Sequence, residues 1–86
     1  MKVVFDVQHL YYLPQYLPVI YILKEFTQEI KLIGYKSDNL LLNKIVKKSF
    51  EDTGIEYEIV EDWKQALSNY LIDKPHWIIF GNAVSN

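Results

Sequence analysis

The sequence predicts an α/β domain built on a parallel sheet, and three observations carry that prediction. Four β-rich runs recur along the chain: Lys2 to Val7, Ile30 to Tyr35, Glu56 to Val60 and His76 to Phe80. Between successive runs lie stretches with apolar residues at helical spacing, and no two runs are close enough to be joined by a hairpin turn. The 86 residues, half of them hydrophobic and 23% charged, fit one domain spanning 1–86 and exclude two.

The first strand, KVVFDV, begins almost at the first residue, and apolar residues at helical spacing follow from Gln15 to Phe26. Pro14 suits a first helical turn, where its missing N–H costs nothing, while Pro18 one turn later marks the helix start or kinks it. The first helix is therefore expected to begin between Pro14 and Pro18. A second strand, IKLIGY, leads to Ser37 or Asp38 as N-cap of a second helix, whose Leu41, Leu42, Ile45, Val46 and Phe50 form one apolar stripe. Gly54 ends that helix. The third strand, EYEIV, alternates charge with apolar residues as a sheet edge does. Asp62 caps a third helix with Trp63, Ala66, Leu67, Tyr70 and Leu71 on one face, and Lys74-Pro75 stops it before the fourth strand.

Alternating strands and helices pair in parallel through right-handed crossovers, so the expected architecture is a Rossmann-like half domain with strand order 3-2-1-4 and three helices. Helices 1 and 2 then cover one face and helix 3 the other. That order puts the fourth strand at an edge, yet Trp77, Ile78, Ile79 and Phe80 form the continuous apolar run of a strand buried on both faces. The sheet is thus expected to be incomplete there, and the chain to be an N-terminal fragment of a larger one or to meet a homodimer partner at that edge. A chain this short buries only about 60 to 65% of its unfolded surface, which makes such cover useful.

Composition removes several function classes. With no cysteine, disulfide frameworks, thiolate metal sites and thiol nucleophiles are excluded. All nine basic residues are lysine, and a net charge of -2 without any arginine argues against a nucleic-acid partner. Glu51 to Asp62 holds six acidic residues and no lysine, a pattern read as a solvated edge. Val7 to Leu23 is uncharged but too short and too broken by proline to span a bilayer. With no secretory n-region or h-region at the start, a cytoplasmic location is expected. Lys44, Lys47 and Lys48 share a helix face that is read as solvated, with a lipid surface or acidic partner as the other reading.

Ligands of open parallel sheets bind at the carboxyl ends of the strands where strand order reverses, here between strands 1 and 4. The loop after strand 1 places His9, Tyr11, Tyr12 and Gln15 there, side chains able to donate, accept or stack; Asn82 follows strand 4. Against this stands the reading that Tyr11, Tyr12 and Leu13 pack under helix 1 as core. His9 is the one group in the region suited to proton transfer near neutral pH. All three glycines lie outside this loop, so no phosphate-cradling glycine motif follows strand 1 and no cofactor is expected. His76 has no partner at ligand spacing, and no metal site is expected. Asp6 ends strand 1 where a phosphoryl-relay domain would keep an acid, but no Thr or Lys pair completes the set.

FDVQHLYYLPQYLPVIYILKE resembles the opening of CDP-glycerol glycerophosphotransferase-like proteins, relatives of the two-Rossmann-domain (GT-B) glycosyltransferases. Those proteins start with a hydrophobic strand, a loop of the His-x-Tyr-x-x-Pro kind and a helix. The shared pattern here is His9, Tyr11 or Tyr12, Leu13-Pro14 and Leu17-Pro18, covering about the first third of the chain. The resemblance implies an N-terminal, acceptor-side subdomain of a transferase that uses a nucleotide-activated polyol phosphate or sugar in cell-envelope polymer synthesis, such as that of teichoic acid, at the inner face of the membrane. It implies metal-independent catalysis by a histidine in a downstream His-Gly-Thr-Pro stretch and donor contacts from a C-terminal domain. Neither His9 nor His76 sits in that motif, so neither takes the catalytic role, and the segment alone is not expected to turn over. The competing expectation is a standalone α/β binding module that dimerises through strand 4 and helix 3.

Overall fold

A computed structural model of the chain describes residues 1–81. Strand β1 spans Lys2–Val7, a single 3-10 turn spans Leu10–Tyr12, and helix α1 spans Leu13–Leu23. Then come β2 (Glu29–Tyr35), α2 (Leu40–Thr53), β3 (Glu56–Val60), α3 (Trp63–Asp73) and β4 (Trp77–Phe80). The four strands form one all-parallel sheet in the order β3-β2-β1-β4. Strand order, direction and helix number match the sequence expectation.

Alternation along the central strands separates two cores. Val3, Phe5, Val7, Ile30 and Leu32 pack with Tyr12, Leu13, Tyr16 and Ile20 from the α1 region and Phe50 of α2. Val4, Ile33 and Val60 pack on the opposite face with Ala66 and Tyr70 of α3. Gly34 of β2 lets α2 approach, since a Cβ there would lie 2.6 Å from the Phe50 ring and 2.9 Å from Ile59.

Several boundaries differ from expectation for identifiable reasons. Helix α1 begins at Leu13, ahead of Pro14, because the 3-10 turn feeds directly into it; Pro18 lies inside the helix. The N-cap of α2 is Asn39, whose side chain accepts the Leu42 N–H at 3.1 Å, and not Ser37 or Asp38. Ser37 acts one step earlier: its hydroxyl accepts the Asn39 N–H, while the Asn43 amide bonds both its N–H and its carbonyl. Asp62 does cap α3, accepting the Gln65 N–H at 2.9 Å.

The apolar stripes are buried less than their spacing predicts. On α3 only Ala66 and Tyr70 are buried, and Trp63, Leu67 and Leu71 remain exposed. Among the described residues α3 is the one helix on its face of the sheet, so the flanks of its stripe meet no neighbouring helix. On α2 only Phe50 is buried, and Leu41, Leu42 and Ile45 are exposed. Strand β4 is the second edge, with Trp77 60% and Phe80 50% exposed; the double-sided burial that its run predicts is absent among the described residues.

Candidate functional site

The carboxyl ends of β1 and β2 frame a cleft of about 270 Å³ lined by Val7, Gln8, His9, Leu10, Tyr35, Lys36, Ser37, Leu42 and Val46. Its floor is apolar and its rim carries an imidazole, an amine, a hydroxyl and an amide. No acidic side chain lines it, although the chain contains eleven. Leu42 and Val46 belong to the α2 stripe and line this cleft, which accounts for part of the stripe's incomplete burial. A larger hollow of about 380 Å³, between Lys24, Gln28, Gly54 and Glu56, lies at the amino ends of β2 and β3. Parallel sheets bind ligands at the carboxyl ends, so the His9 cleft is the candidate site.

The loop after β1 folds as a row of rings. His9 stacks on Tyr11 with centroids 5.4 Å apart, Tyr11 meets Tyr12 at 4.5 Å, and Tyr12 stacks on Tyr16 at 6.1 Å. The Tyr11 hydroxyl donates to that of Tyr12 at 3.3 Å. Tyr12 and Leu13 are buried, whereas Tyr11 is exposed, so the reading of these residues as core holds for two of the three. Tyr16 anchors the row by donating its hydroxyl to the Asp6 carbonyl at 3.0 Å, and burial pushes its phenol up to about 12.

Of the residues expected to form one constellation, His9, Tyr11 and Tyr12 come together, but only His9 reaches the cleft. Tyr12 instead faces β4: a Cβ at Gly81 would run into its ring, so glycine there permits close approach. Gln15 is exposed on the first turn of α1 and lines no part of the cleft. Asn82 lies outside the described residues. The cleft itself sits between β1 and β2, not between β1 and β4 where the reversal of strand order points. His76 is structural, accepting the Lys2 N–H on Nδ1 at 3.0 Å while its own N–H bonds the Lys2 carbonyl.

A second polar group stands at the reversal. Asp6, next to last in β1, lies between Ile33 of β2 and Phe80 of β4 and is 2% exposed. Its Oδ2 accepts the Tyr35 hydroxyl at 2.6 Å and the Tyr70 hydroxyl at 2.5 Å. Burial raises the Asp6 carboxyl above its ordinary value, and the two hydroxyl donors oppose that rise. Burial and the adjoining carboxylate push both phenols well up, so Tyr35 and Tyr70 stay neutral donors.

Compared with protein-family models, curated proteins and solved structures, the chain matches none. Lys36, Ser37, Tyr35 and Tyr70 escape the sequence reading because they lie far along the chain from the first loop. Only the parallel β1–β2 register and the α3 crossover bring them to it. Among the described residues no group of three His, Cys, Asp or Glu could hold a metal ion, and no helix is long and apolar enough to cross a membrane.

Proposed function

We propose that this chain is the acceptor-side, N-terminal part of a transferase that draws on a nucleotide-activated polyol phosphate or sugar for cell-envelope polymer synthesis. The observation that carries the proposal is the cleft at the carboxyl ends of β1 and β2, whose rim includes His9 from the loop that resembles glycerophosphotransferase-like proteins. A hydroxyl-rich, anionic acceptor suits it: Lys36 supplies charge, Ser37 and Gln8 supply hydrogen bonds, and Val7, Leu10 and Val46 pack against carbon. Donor contacts and the catalytic histidine are assigned to a further domain, and the setting to the cytoplasmic face of the membrane, where a peripheral contact would bring lipid-linked acceptor within reach.

The test is a transfer assay on the whole natural gene product with CDP-glycerol as donor. His9→Ala and Lys36→Ala should each lower kcat/KM for acceptor at least about tenfold, the loss of one charge-assisted hydrogen bond, while donor KM stays unchanged. Unaltered acceptor kinetics in both variants, or no transfer from CDP-glycerol or a nucleotide sugar, would overturn the reading.

A second reading rests on β4. Trp77 and Phe80 are half exposed on opposite faces of an uncharged edge strand, whereas the other edge, β3, carries Glu56 and Glu58 as protection against pairing. A dimerising module without catalytic activity would use that edge. It requires a concentration-dependent dimer in sedimentation that Phe80→Asp abolishes; an unchanged profile counts against it.

A further inference from the structure

On the α3 face, one oxygen joins three elements. Asp6 Oδ2 of β1 takes a hydroxyl from Tyr35 at the end of β2 and another from Tyr70 on α3. Among the described residues no donor reaches Oδ1, and no cation reaches the carboxylate at all. Lys31 of β2 and Glu58 of β3 are bonded to each other at 3.0 Å, and Lys36 after β2 pairs with Glu61 at 3.6 Å. β4 contributes only Ile78 and Phe80 on this face. The first turn of α3 offers Asp62 and Lys64, both exposed, with Asp62 occupied in capping. Among the described residues, a negative charge on Asp6 is thus held by two neutral hydroxyls and no cation.

Aromatic rings close the rim. Trp63 at the start of α3 lies 5.8 Å from Phe80 of β4, 6.4 Å from Tyr70 and 6.5 Å from Tyr35, ring to ring. Trp63 and Phe80 are each about half exposed.

We propose that Asp6, Tyr35 and Tyr70 form a proton-operated latch that holds α3, and with it Trp63, against the carboxyl end of the sheet. With the proton bound, Asp6 is neutral and the closed arrangement carries no buried charge. When the proton leaves, the closed state must bury an anion without a counter-ion, whereas an opened α3 lets water reach it. Burial raises the Asp6 carboxyl in the closed state, so the latch is firmest below the ordinary carboxyl value of 3.8 and loosens as pH rises through the raised value. The place affected is the carboxyl end of β1, where strand order reverses. This protonation control is independent of the reaction proposed for the neighbouring cleft.

The experiment is amide hydrogen exchange of α3, corrected for intrinsic chemical rates, from about pH 3.5 to about pH 8, a range that brackets ordinary and raised carboxyl values. The opening constant should rise by up to about tenfold per pH unit between those two values and then level off. Asp6→Asn should remove this rise. Tyr70→Phe, lacking one donor to the carboxylate, should extend it to higher pH. A carbon-13 titration of the Asp6 carboxyl in the unsubstituted chain supplies a readout that needs no variant. Titration of Asp6 at or below the ordinary carboxyl value, or identical exchange profiles for the unsubstituted chain and Asp6→Asn, would overturn the latch.

Discussion

Gly34 and Gly54 occupy a similar share of the sequence and do different work. At Gly34 a methyl group would meet the Phe50 ring and Ile59 below 3.0 Å, so Gly34→Ala should cost about 1–3 kcal/mol of overpacking, measured by urea unfolding. At Gly54 space is open, but φ is 70°, and Gly54→Ala should cost only about 1 kcal/mol of left-handed strain. A larger loss at Gly54 than at Gly34 would contradict this account. The C-cap function of Gly54 is legible from its place after the α2 stripe, while the close approach at Gly34 is not, because Phe50 lies sixteen positions away. Asp6 shows the same limit: its place at the end of β1 is legible, but Tyr35 and Tyr70 as its partners are not.

The elements themselves are set by local signals. Asp62 begins α3 as its type and position predict, with Gln65 returning a bond to the Glu61 N–H at 2.6 Å. Asp62→Ala should therefore lower stability by about 1 kcal/mol, and Asn39→Ala at the start of α2 by a similar amount. If Ser37→Ala proved costlier than Asn39→Ala, the assignment of Asn39 as the cap would be wrong. At the other end of α3, Lys74 holds φ 48° without being glycine. Lys74→Gly should leave stability unchanged or raise it by up to about 1 kcal/mol in the same denaturation measurement. Ser37, Asp38 and Asn39 are all good capping residues in a row, and choosing among them takes the Asn43 side chain, which occupies Ser37 from within the helix.

Across the whole molecule the two faces of the sheet are unequally secured. Two helices and the Tyr12–Tyr16 row cover one face, and a single helix with two buried side chains covers the other. Native-state hydrogen exchange should accordingly rank β1 and β2 as most protected, α1 next, and α3 with β4 as first to open. Equal protection of α3 and α1 would show that Tyr70 and its hydrogen bonds make up for the smaller apolar contact. The same asymmetry leaves Trp63, Leu67 and Phe80 in contact with solvent.

Strand and helix identity, their alternation, the parallel sheet and its order were determined by the sequence itself. Periodicity, caps and right-handed crossovers act over neighbouring residues and leave few topologies. Tertiary structure alone decided which apolar residues are covered, because coverage depends on how many helices fit over a sheet and not on the spacing within any one of them. It also decided the site: His9 stayed at the cleft, Tyr12 turned to Gly81, and Lys36, Ser37 and the Asp6–Tyr35–Tyr70 group were added by register. Side chains separated by 29 and 64 positions meet on one carboxylate oxygen because parallel strands and a crossover helix bring distant residues to the same end of the sheet.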